Sequence, residues 1–292
     1  MKILVIGGSG LIGSHLIKQG QAMGHNVLGT CRKHPSPGLA PLDCADFSAM
    51  ERLLDLQQPE AVVHAAGWTW VDGCEDDPKR AFAENAEQPA ELAKLCQARG
   101  IRFSWFSSSY VFDGNAGPYS ESAVPNPINV YGHSKLEGER RIQSACGDAG
   151  LIARVICVYG AEAQRKNFAC QVLTALQEGQ TLTLPSDQCG NPTWARDISR
   201  WLITLLDKRQ GGVWHLGGPW PECTRPEWAE RLVAGFKSTG VHEHPDFSVK
   251  TILTSELKQK ALRPLQAGII SEREWPMDSI PTEFSETLGE MV

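Results

Sequence analysis

The chain has 292 residues, a formal net charge of -6 and a sequence pI near 5.8. This length allows one large α/β domain, or a larger domain with a smaller companion, and in either case a sizeable buried core. The acidic balance argues against a nucleic-acid partner, because phosphate binding usually requires a basic surface. The chain has no run of about 18 consecutive apolar residues, so we expect no membrane-spanning helix.

Cysteines and histidines show no spacing typical of a metal site. The nine cysteines are scattered and never form a CxxC pair, which favours reduced thiols in a cytoplasmic protein. His242 and His244 flank Glu243 with no third ligand nearby, so we interpret them as loop residues and expect no metal.

The apolar run at residues 3–6 leads directly into glycines and is too short for a secretory signal.

Strand-like and helical patterns alternate strictly in the first half of the chain. This alternation predicts a doubly wound parallel sheet of the Rossmann type, with helices on both faces. The predicted strands are Lys2–Ile6, Asn26–Thr30, Glu60–His64, Arg102–Phe106 and Leu151–Val155. The predicted helices are Leu11–Gly24, Asp46–Gln57, Lys79–Arg99 and Asn129–Cys146.

The alternation loosens after residue 160, where prolines and tryptophans become frequent. We predict a sheet domain over residues 1–160 and a smaller, irregular lobe over 161–292, with residues near 190–217 returning to the sheet domain. The later predicted elements are the helices Gln164–Glu178, Asp197–Leu206 and Arg225–Lys237 and the strand Val213–Leu216. We expect the tryptophans of this half to pack in the core or the lobe; they are Trp194, Trp201, Trp214, Trp220, Trp228 and Trp275.

A glycine-rich turn separates the first predicted strand from the first predicted helix. Gly7, Gly10 and Gly13 allow a tight turn, a close approach to a pyrophosphate and close packing of the helix on the strand. The helix then begins at Leu11 and Ile12, with free N–H groups and the positive end of its dipole. Glycines also mark ordinary turns, but the position between strand and helix favours a dinucleotide site.

The residues after the second predicted strand bear on the choice of dinucleotide. Proteins that bind NAD commonly have an acidic residue here, which bonds the ribose 2′-hydroxyl. This chain has Arg32 and Lys33 instead, and two cations suit a 2′-phosphate. We therefore favour NADP(H) as the cofactor, with NAD(H) as the alternative and a solvated basic turn as the interpretation without a ligand.

Tyr131 and Lys135 form a YxxxK pair at the start of a predicted helix. A spacing of four places both side chains on one helical face, where we expect the lysine charge to lower the tyrosine pKa and favour proton transfer near neutral pH. Ser107–Ser109 end a predicted strand at the carboxyl edge of the sheet, where open α/β sheets bind ligands. Taken singly, these features also fit a solvated helix face and an ordinary strand end.

Together these features resemble the extended short-chain dehydrogenase/reductases, and most closely the branch of the dTDP-4-dehydrorhamnose reductases. The resemblance runs from residue 1 to the vicinity of residue 240, and includes Ser107–Gly114, similar to STDYVFDG, and Arg154–Gly160, similar to RxxxVYG. It implies a catalytic triad of Ser108, Tyr131 and Lys135. It also implies cofactor contacts from Asp43 and Cys44 under the adenine, from Ala65, Ala66 and Gly67 along the cofactor, from Asn85 behind the site, and from Tyr131 and Lys135.

The resemblance also implies a reaction, namely reduction of a keto group on a nucleotide-activated sugar. Hydride comes from a reduced nicotinamide, and Tyr131 protonates the oxygen as it gains negative charge. Ser108 hydrogen-bonds that oxygen, and Lys135 holds the nicotinamide ribose and keeps Tyr131 acidic.

The substrate side departs from the pattern of this branch. The aspartate of STDYVFDG is Ser109 here, and a tryptophan that the branch places before VYG is Cys157. In that branch the tryptophan lies against the sugar. Trp68 and Trp70 are candidates to form this wall of the sugar site instead, and core packing or a plain surface position is an equal alternative. The expected substrate contacts are Ser108, Ser109, Trp68, Trp70, Cys157, Asn167 and Gln188. Intact catalytic residues beside altered substrate contacts indicate a reductase of the same class that acts on a different substrate.

Two other functions fit parts of the pattern. The regulatory subunit of methionine adenosyltransferase, a relative of this branch, binds a dinucleotide but serves mainly as a partner protein, so a regulatory module stays open. A nucleotide-sugar epimerase or dehydratase with tightly held NAD is the third hypothesis, although Ser109 stands where dehydratases have an acidic residue. We rank both below the reductase, and we leave a homodimer open.

Overall fold

The structure is a computed structural model that describes residues 1–34, 36–218, 222–274 and 282–292. Trp220 and Trp275, which we expected to pack, lie outside these ranges. The strands are β1 (Lys2–Ile6), β2 (Asn26–Cys31), β3 (Leu39–Pro41), β4 (Ala61–His64), β5 (Arg102–Ser108), β6 (Leu151–Val155), β7 (Val158–Tyr159), β8 (Thr181–Pro185), β9 (Cys189–Gly190), β10 (Thr193–Trp194), β11 (Gly212–His215), β12 (Cys223–Thr224) and β13 (Ser248–Ile252). The helices are α1 (Leu11–Ala22), α2 (Phe47–Gln57), α3 (Val71–Asp76), α4 (Pro78–Phe82), α5 (Gln88–Ala98), α6 (Val130–Cys146), α7 (Phe168–Glu178), α8 (Ala195–Asp207), α9 (Arg225–Ser238) and α10 (Phe284–Gly289).

Seven strands form one parallel sheet in the order β11–β6–β5–β4–β1–β2–β3. The chain first proceeds outward from β1 to β3 and then returns to place β4 on the other side of β1. The strand order therefore reverses between β1 and β4, and in such sheets a ligand crevice opens at the carboxyl ends of the strands at this point. The predicted doubly wound Rossmann sheet is confirmed.

Alternate side chains of the central strand β1 enter two apolar cores, because helices cover both faces of the sheet. Ile3 and Val5 pack on the side of α1 and α8, whereas Leu4 and Ile6 pack on the side of α2, α5 and α6. A third core joins α7 and α9 in the lobe around Trp228. Although α8 and β11 come after residue 160, they belong to the core of the sheet. Our division into two domains stays a prediction.

Most predicted elements are present, and the differences have local causes. The predicted helix Lys79–Arg99 consists of α4, a π-helical turn at Ala83–Glu87 and α5. Its residues are ordinary helix formers, so composition does not reveal the wider turn. Sequence reasoning missed β3, α3, β8, β13 and α10, and also the two-residue strands β7, β9, β10 and β12. In β13 the first four of five residues are exposed, so no alternation of apolar residues marks the strand.

Two other expectations about the core concern tryptophans and thiols. Trp194, Trp201, Trp214 and Trp228 are buried, as expected. All nine cysteines are free thiols. Within the described ranges, no helix is both long and apolar enough to cross a membrane.

Candidate active site

The glycine-rich turn lies at the point where the strand order reverses. Gly7 has a φ of +87°, and a Cβ on it would lie 2.8 Å from the amide nitrogen of Ala66. Only glycine therefore allows the ends of β1 and β4 to approach so closely. A Cβ on Gly13 would collide with the carbonyl oxygen of Gly7, so α1 packs directly on the turn.

Helix α1 presents its N-terminus at this turn. Gly10 occupies the cap position without a side chain to bond the first N–H groups, and the first turn, which begins with Leu11 and Ile12, contains no acidic residue. Unpaired N–H groups and the helix dipole favour an anion at this place. The close backbone approach and the open helix terminus fit the pyrophosphate of a dinucleotide.

The segment after β4 runs along the same crevice. The Ala65 amide donates to the carbonyl oxygen of Ile6 at 2.9 Å and continues the pairing of β1 and β4. A Cβ on Gly67 would lie 2.9 Å from Asn85 Oδ1 and 3.5 Å from Lys135 Nζ. The backbone from Ala65 to Gly67 therefore passes close to the predicted catalytic lysine.

One of the two cations after β2, Arg32, has carboxylates as neighbours. Arg32 and Lys33 are exposed. Arg32 Nη1 lies 3.8 Å from Asp43 Oδ1, and its Nη2 lies 3.4 Å from Glu84 Oε2. Burial raises the pKa of the neighbouring Cys44 thiol to about 11, so this thiol is neutral at physiological pH. The structure thus brings Arg32, Asp43 and Cys44 together at the end of β2, and Glu84 joins them without having been predicted.

Helix α6 brings Tyr131 to the carboxyl end of β5. The side chain of Asn129 caps this helix and accepts a backbone N–H of its first turn at 2.8 Å. Tyr131 is buried, and the side chain of Ser108, the last residue of β5, is close enough to its hydroxyl to favour the phenolate. Ser108 Oγ also accepts the Tyr110 N–H at 3.2 Å. The structure therefore brings the predicted Ser108 and Tyr131 together.

Lys135 is buried one helical turn after Tyr131. Its Nζ donates to the carbonyl oxygen of Phe106 at 3.0 Å and lies 4.4 Å from the ring centroid of Trp105. The distance from Nζ to the ring centroid of Tyr131 is 5.9 Å. Burial lowers the pKa of Lys135 to about 7, and the carboxylate of Glu139 opposes this change.

Burial also controls the titration of Tyr131. It raises the pKa of the phenol above its ordinary value, and the interaction with the Ser108 side chain opposes the rise. Our prediction that Lys135 lowers this pKa is wrong for this arrangement. The lysine ammonium is directed at the Phe106 carbonyl, and the desolvation of a buried phenolate outweighs any attraction. Tyr131 is consequently a neutral phenol at physiological pH.

Asn85 lies in the π-helical turn and is completely buried. Its carboxamide accepts the Trp68 N–H at 2.9 Å and donates to the Trp68 carbonyl oxygen and to Ser134 Oγ, both at 3.0 Å. Ser134 in turn donates to the carbonyl oxygen of Tyr131 at 2.7 Å. Asn85 therefore ties the segment after β4 to the first turn of α6. A direct contact with the cofactor stays a prediction.

The two tryptophans after β4 have different surroundings. Trp68 is half-buried and packs in a cluster with Tyr110 and Tyr131, and the Arg80 guanidinium lies 4.0 Å from its ring centroid. The side chain of Trp70 is 64% exposed, so it belongs to the surface. Trp68 thus forms a wall beside Tyr131, whereas Trp70 matches the surface alternative.

The other predicted substrate residues are more dispersed. Cys157 is half-buried with a φ of +44°, and a Cβ on Gly190 would lie 2.9 Å from its Sγ. Ser109 is buried, and its hydroxyl has no hydrogen-bond partner among the described residues. Asn167 caps α7 and donates to the Gly160 carbonyl oxygen at 2.8 Å.

Gln188 lies in the lobe and donates to Thr254 Oγ1 at 3.0 Å. The polar atoms of both Asn167 and Gln188 therefore hold loops of the protein itself. Contact of these two residues, and of Ser109 and Cys157, with a substrate stays a prediction.

Sequence reasoning missed a buried charge network behind the triad. Glu139 Oε1 accepts from Ser107 Oγ at 2.5 Å and from Arg154 Nε at 2.9 Å, and its Oε2 accepts from Arg154 Nη2 at 2.7 Å. Arg154 Nη1 also lies 3.2 Å from His215 Nε2. A signal was available for Glu139, which follows Lys135 by four residues and therefore shares its helical face.

The C-terminal part of the chain also reaches the site. Arg263 Nη2 donates to Asp72 Oδ1 at 2.9 Å, and the Ala261 N–H donates to the same oxygen at 3.1 Å. Asn129 Nδ2 donates to the carbonyl oxygen of Leu262 at 2.8 Å. Sequence reasoning did not predict these contacts, because their partners are more than a hundred positions apart along the chain.

Comparison with known proteins agrees with this geometry. The sequence profile of the family described as RmlD substrate binding domain matches residues 1–292. The chain belongs to this family. Its resemblance to the dTDP-4-dehydrorhamnose reductase branch of the extended short-chain dehydrogenase/reductases is confirmed.

The individual relatives include reductases and a subunit of a methionine adenosyltransferase. A probable low-salt glycan biosynthesis reductase of Haloferax volcanii is 36% identical over 90% of this chain and 88% of the relative. Methionine adenosyltransferase 2 subunit beta of Danio rerio is 33% identical over 84% of this chain and 76% of the relative. The crystal structure of a dTDP-4-dehydrorhamnose reductase from Clostridium acetobutylicum has a TM-score of 0.83 and 28% identity, and covers 99% of this chain and 98% of its own.

Proposed function

We propose that this RmlD-family chain is an NAD(P)H-dependent reductase of a keto group on a nucleotide-activated sugar. The observation that carries the proposal is that Ser108 at the end of β5 and Tyr131 and Lys135 on α6 are buried together at one site. This arrangement lies at the carboxyl edge of the sheet, next to the crevice at the reversal of strand order. A binding module without catalysis would have no need of the Tyr131 hydroxyl as a proton donor or of Ser108 beside it. The relatives named as reductases support the substrate class.

The residues of the triad have distinct tasks in this reaction. The bound dinucleotide supplies hydride to the carbonyl carbon. The Tyr131 hydroxyl gives its proton to the carbonyl oxygen, so that C=O becomes CH–OH and the phenol becomes a phenolate. Ser108 donates a hydrogen bond to the same oxygen as its negative charge develops. Lys135, when protonated, places a positive charge near the phenolate.

The dinucleotide would be held by the residues around the crevice. The N–H groups that follow Gly10 would bind the pyrophosphate, and Lys135 would bind the nicotinamide ribose. Arg32 and Lys33 would bind a 2′-phosphate, so we favour NADP(H), with NAD(H) as the alternative. On the substrate side we assign the sugar wall to Trp68, because it packs beside Tyr131.

The decisive test compares Tyr131→Phe with the wild type in the reduction of a dTDP-4-keto-6-deoxy sugar by NADPH and by NADH. Loss of a proton donor lowers kcat by about 10²- to 10⁴-fold, whereas dinucleotide binding should persist. Tyr159→Phe is the matched control, because Tyr159 is buried in the lobe and its hydroxyl lies 3.2 Å from Thr287 Oγ1. We expect this control to retain the activity of the wild type.

Other outcomes identify the alternatives. Dinucleotide binding without turnover, together with co-purification of a second enzyme, would support the regulatory module. Redox-neutral turnover with retained cofactor would support an epimerase. The homodimer stays a separate prediction, which analytical ultracentrifugation of the purified chain would check.

A further inference from the structure

A row of alternating charges links the end of β2 to the wall beside Tyr131. Its members are Asp43, Arg32, Glu84 and Arg80. Arg32 lies 3.8 Å from Asp43 and 3.4 Å from Glu84. Arg80 Nε donates to the other oxygen of Glu84, Oε1, at 2.8 Å, and the same guanidinium covers the ring of Trp68. Glu84 therefore occupies the centre of the row and contacts both arginines.

Glu84 is the least exposed carboxylate near Arg32. Its side chain is 12% exposed, compared with 55% for Asp43. Limited contact with solvent strengthens the attraction of Glu84 for a guanidinium and weakens its screening by water and salt. Its place in the π-helical turn, directly before the buried Asn85, fixes the backbone from which it extends.

This pairing changes what Arg32 can offer to a ligand. A 2′-phosphate would need the guanidinium of Arg32, and it would bring additional negative charge towards Glu84. Asp43 and Glu84 together carry as much negative charge as Arg32 and Arg80 carry positive charge. The row is therefore nearly neutral as a whole, which reduces the advantage of a phosphate over a hydroxyl at this position.

We propose that Glu84 is a specificity-determining residue that restrains Arg32 and thereby reduces discrimination between NADPH and NADH. This inference rests on the proposed dinucleotide-binding function and deepens it. Arg32 and Lys33 supply the preference for a 2′-phosphate, and Glu84 reduces the part of this preference that comes from Arg32. We therefore expect the wild-type chain to bind both dinucleotides with dissociation constants within about tenfold of each other, a difference of about 1.4 kcal/mol or less.

The test is a fluorescence titration of the purified chain with NADPH and with NADH, without a sugar substrate. Glu84→Gln keeps the shape of the side chain and removes its charge. We expect it to tighten NADPH binding by about three- to tenfold at low salt and to leave NADH binding unchanged. The gain should shrink as the salt concentration rises, because screening weakens the interaction of Arg32 with a phosphate.

Two further variants separate this role from a general effect of charge. Glu87→Gln removes an exposed carboxylate three positions later and should leave the ratio of the two dissociation constants unchanged. In an Arg32→Met background, Glu84→Gln should no longer change that ratio, because the restrained cation is absent.

Three results would overturn the proposal. They are an equal gain for both dinucleotides in Glu84→Gln, the same shift of the ratio in Glu87→Gln, and a shift that persists without Arg32. Failure of the wild type to bind either dinucleotide would refute the proposed function itself and the role of Glu84 with it. If only the role proposed for Glu84 is wrong, the wild type still binds a dinucleotide. The two failures can therefore be told apart.

Discussion

At the scale of single residues, the site is governed by burial of groups that can carry charge. Tyr131 and Lys135 are both buried. Burial favours their uncharged forms, because it raises the pKa of Tyr131 and lowers the pKa of Lys135. For Tyr131 this favours the proton-donor form that a reduction requires. For Lys135 it costs stability, because a buried ammonium loses its hydration.

This cost predicts a pH-dependent stability. Lys135 has a pKa of about 7 in the folded protein and near 10.5 ordinarily, so the unfolded chain binds more protons between these values. The contribution of Lys135 to stability is therefore most unfavourable below pH 7 and improves as the pH rises towards 10.5. Lys135→Met should raise the Tm of the dinucleotide-free protein by several degrees at pH 6 and much less near pH 9.5. Differential scanning calorimetry at both pH values measures this difference.

The control for that measurement is Lys94→Met, because Lys94 is 63% exposed and pairs with Glu91 on the surface. It should change the Tm little at either pH. An unchanged Tm of Lys135→Met at pH 6 would contradict the burial argument. The same variant should lose activity, which is the usual cost of stabilising a functional site.

At the scale of elements, α6 organises the site through one face. Tyr131, Lys135 and Glu139 follow one another at intervals of four, and each contacts a different partner on the sheet. Glu139 and Arg154 are 3% and 4% exposed, so their ion pair is buried. Removing one partner of such a pair leaves the other charge without compensation.

We therefore expect Glu139→Gln to lower the free energy of unfolding by about 3–5 kcal/mol. Glu137→Gln is the matched control on the same helix, because Glu137 pairs with Arg141 near the surface. The control should cost less than about 1 kcal/mol. Urea unfolding at pH 7 measures both values. Equal losses in the free energy of unfolding would show that the buried pair contributes no more to stability than the surface pair.

At the scale of the whole molecule, the sheet depends on segments from the second half of the chain. Helix α8 covers α1 and one face of the sheet with Ile198, Trp201 and Leu202. Strand β11 pairs with β6 and forms one edge of the sheet, and β3 forms the other edge. His215, at the end of β11, bonds the network around Arg154. The sheet and the network are therefore complete only when the later segments have folded.

This dependence predicts how fragments behave. A fragment that ends at residue 160 lacks α8 and β11, so it exposes the apolar side of α1 and should aggregate or unfold without cooperativity. A fragment that ends at residue 218 retains both segments and should yield more soluble protein. Soluble yield and near-UV circular dichroism distinguish the two. A soluble, cooperatively folded fragment 1–160 would show that the sheet domain is independent of α8 and β11.

The amino-acid sequence was sufficient to predict the Rossmann sheet, the glycine-rich turn and the helix that carries Tyr131 and Lys135. These features depend on periodicity, turn chemistry and spacing within one or two elements, all of which are local. The tertiary structure alone decided that burial outweighs the charge of Lys135 in the titration of Tyr131, that Trp68 and not Trp70 packs beside the triad, and that Glu84 pairs with Arg32. The physical reason is that burial and charge pairing depend on groups that folding brings together from distant parts of the chain.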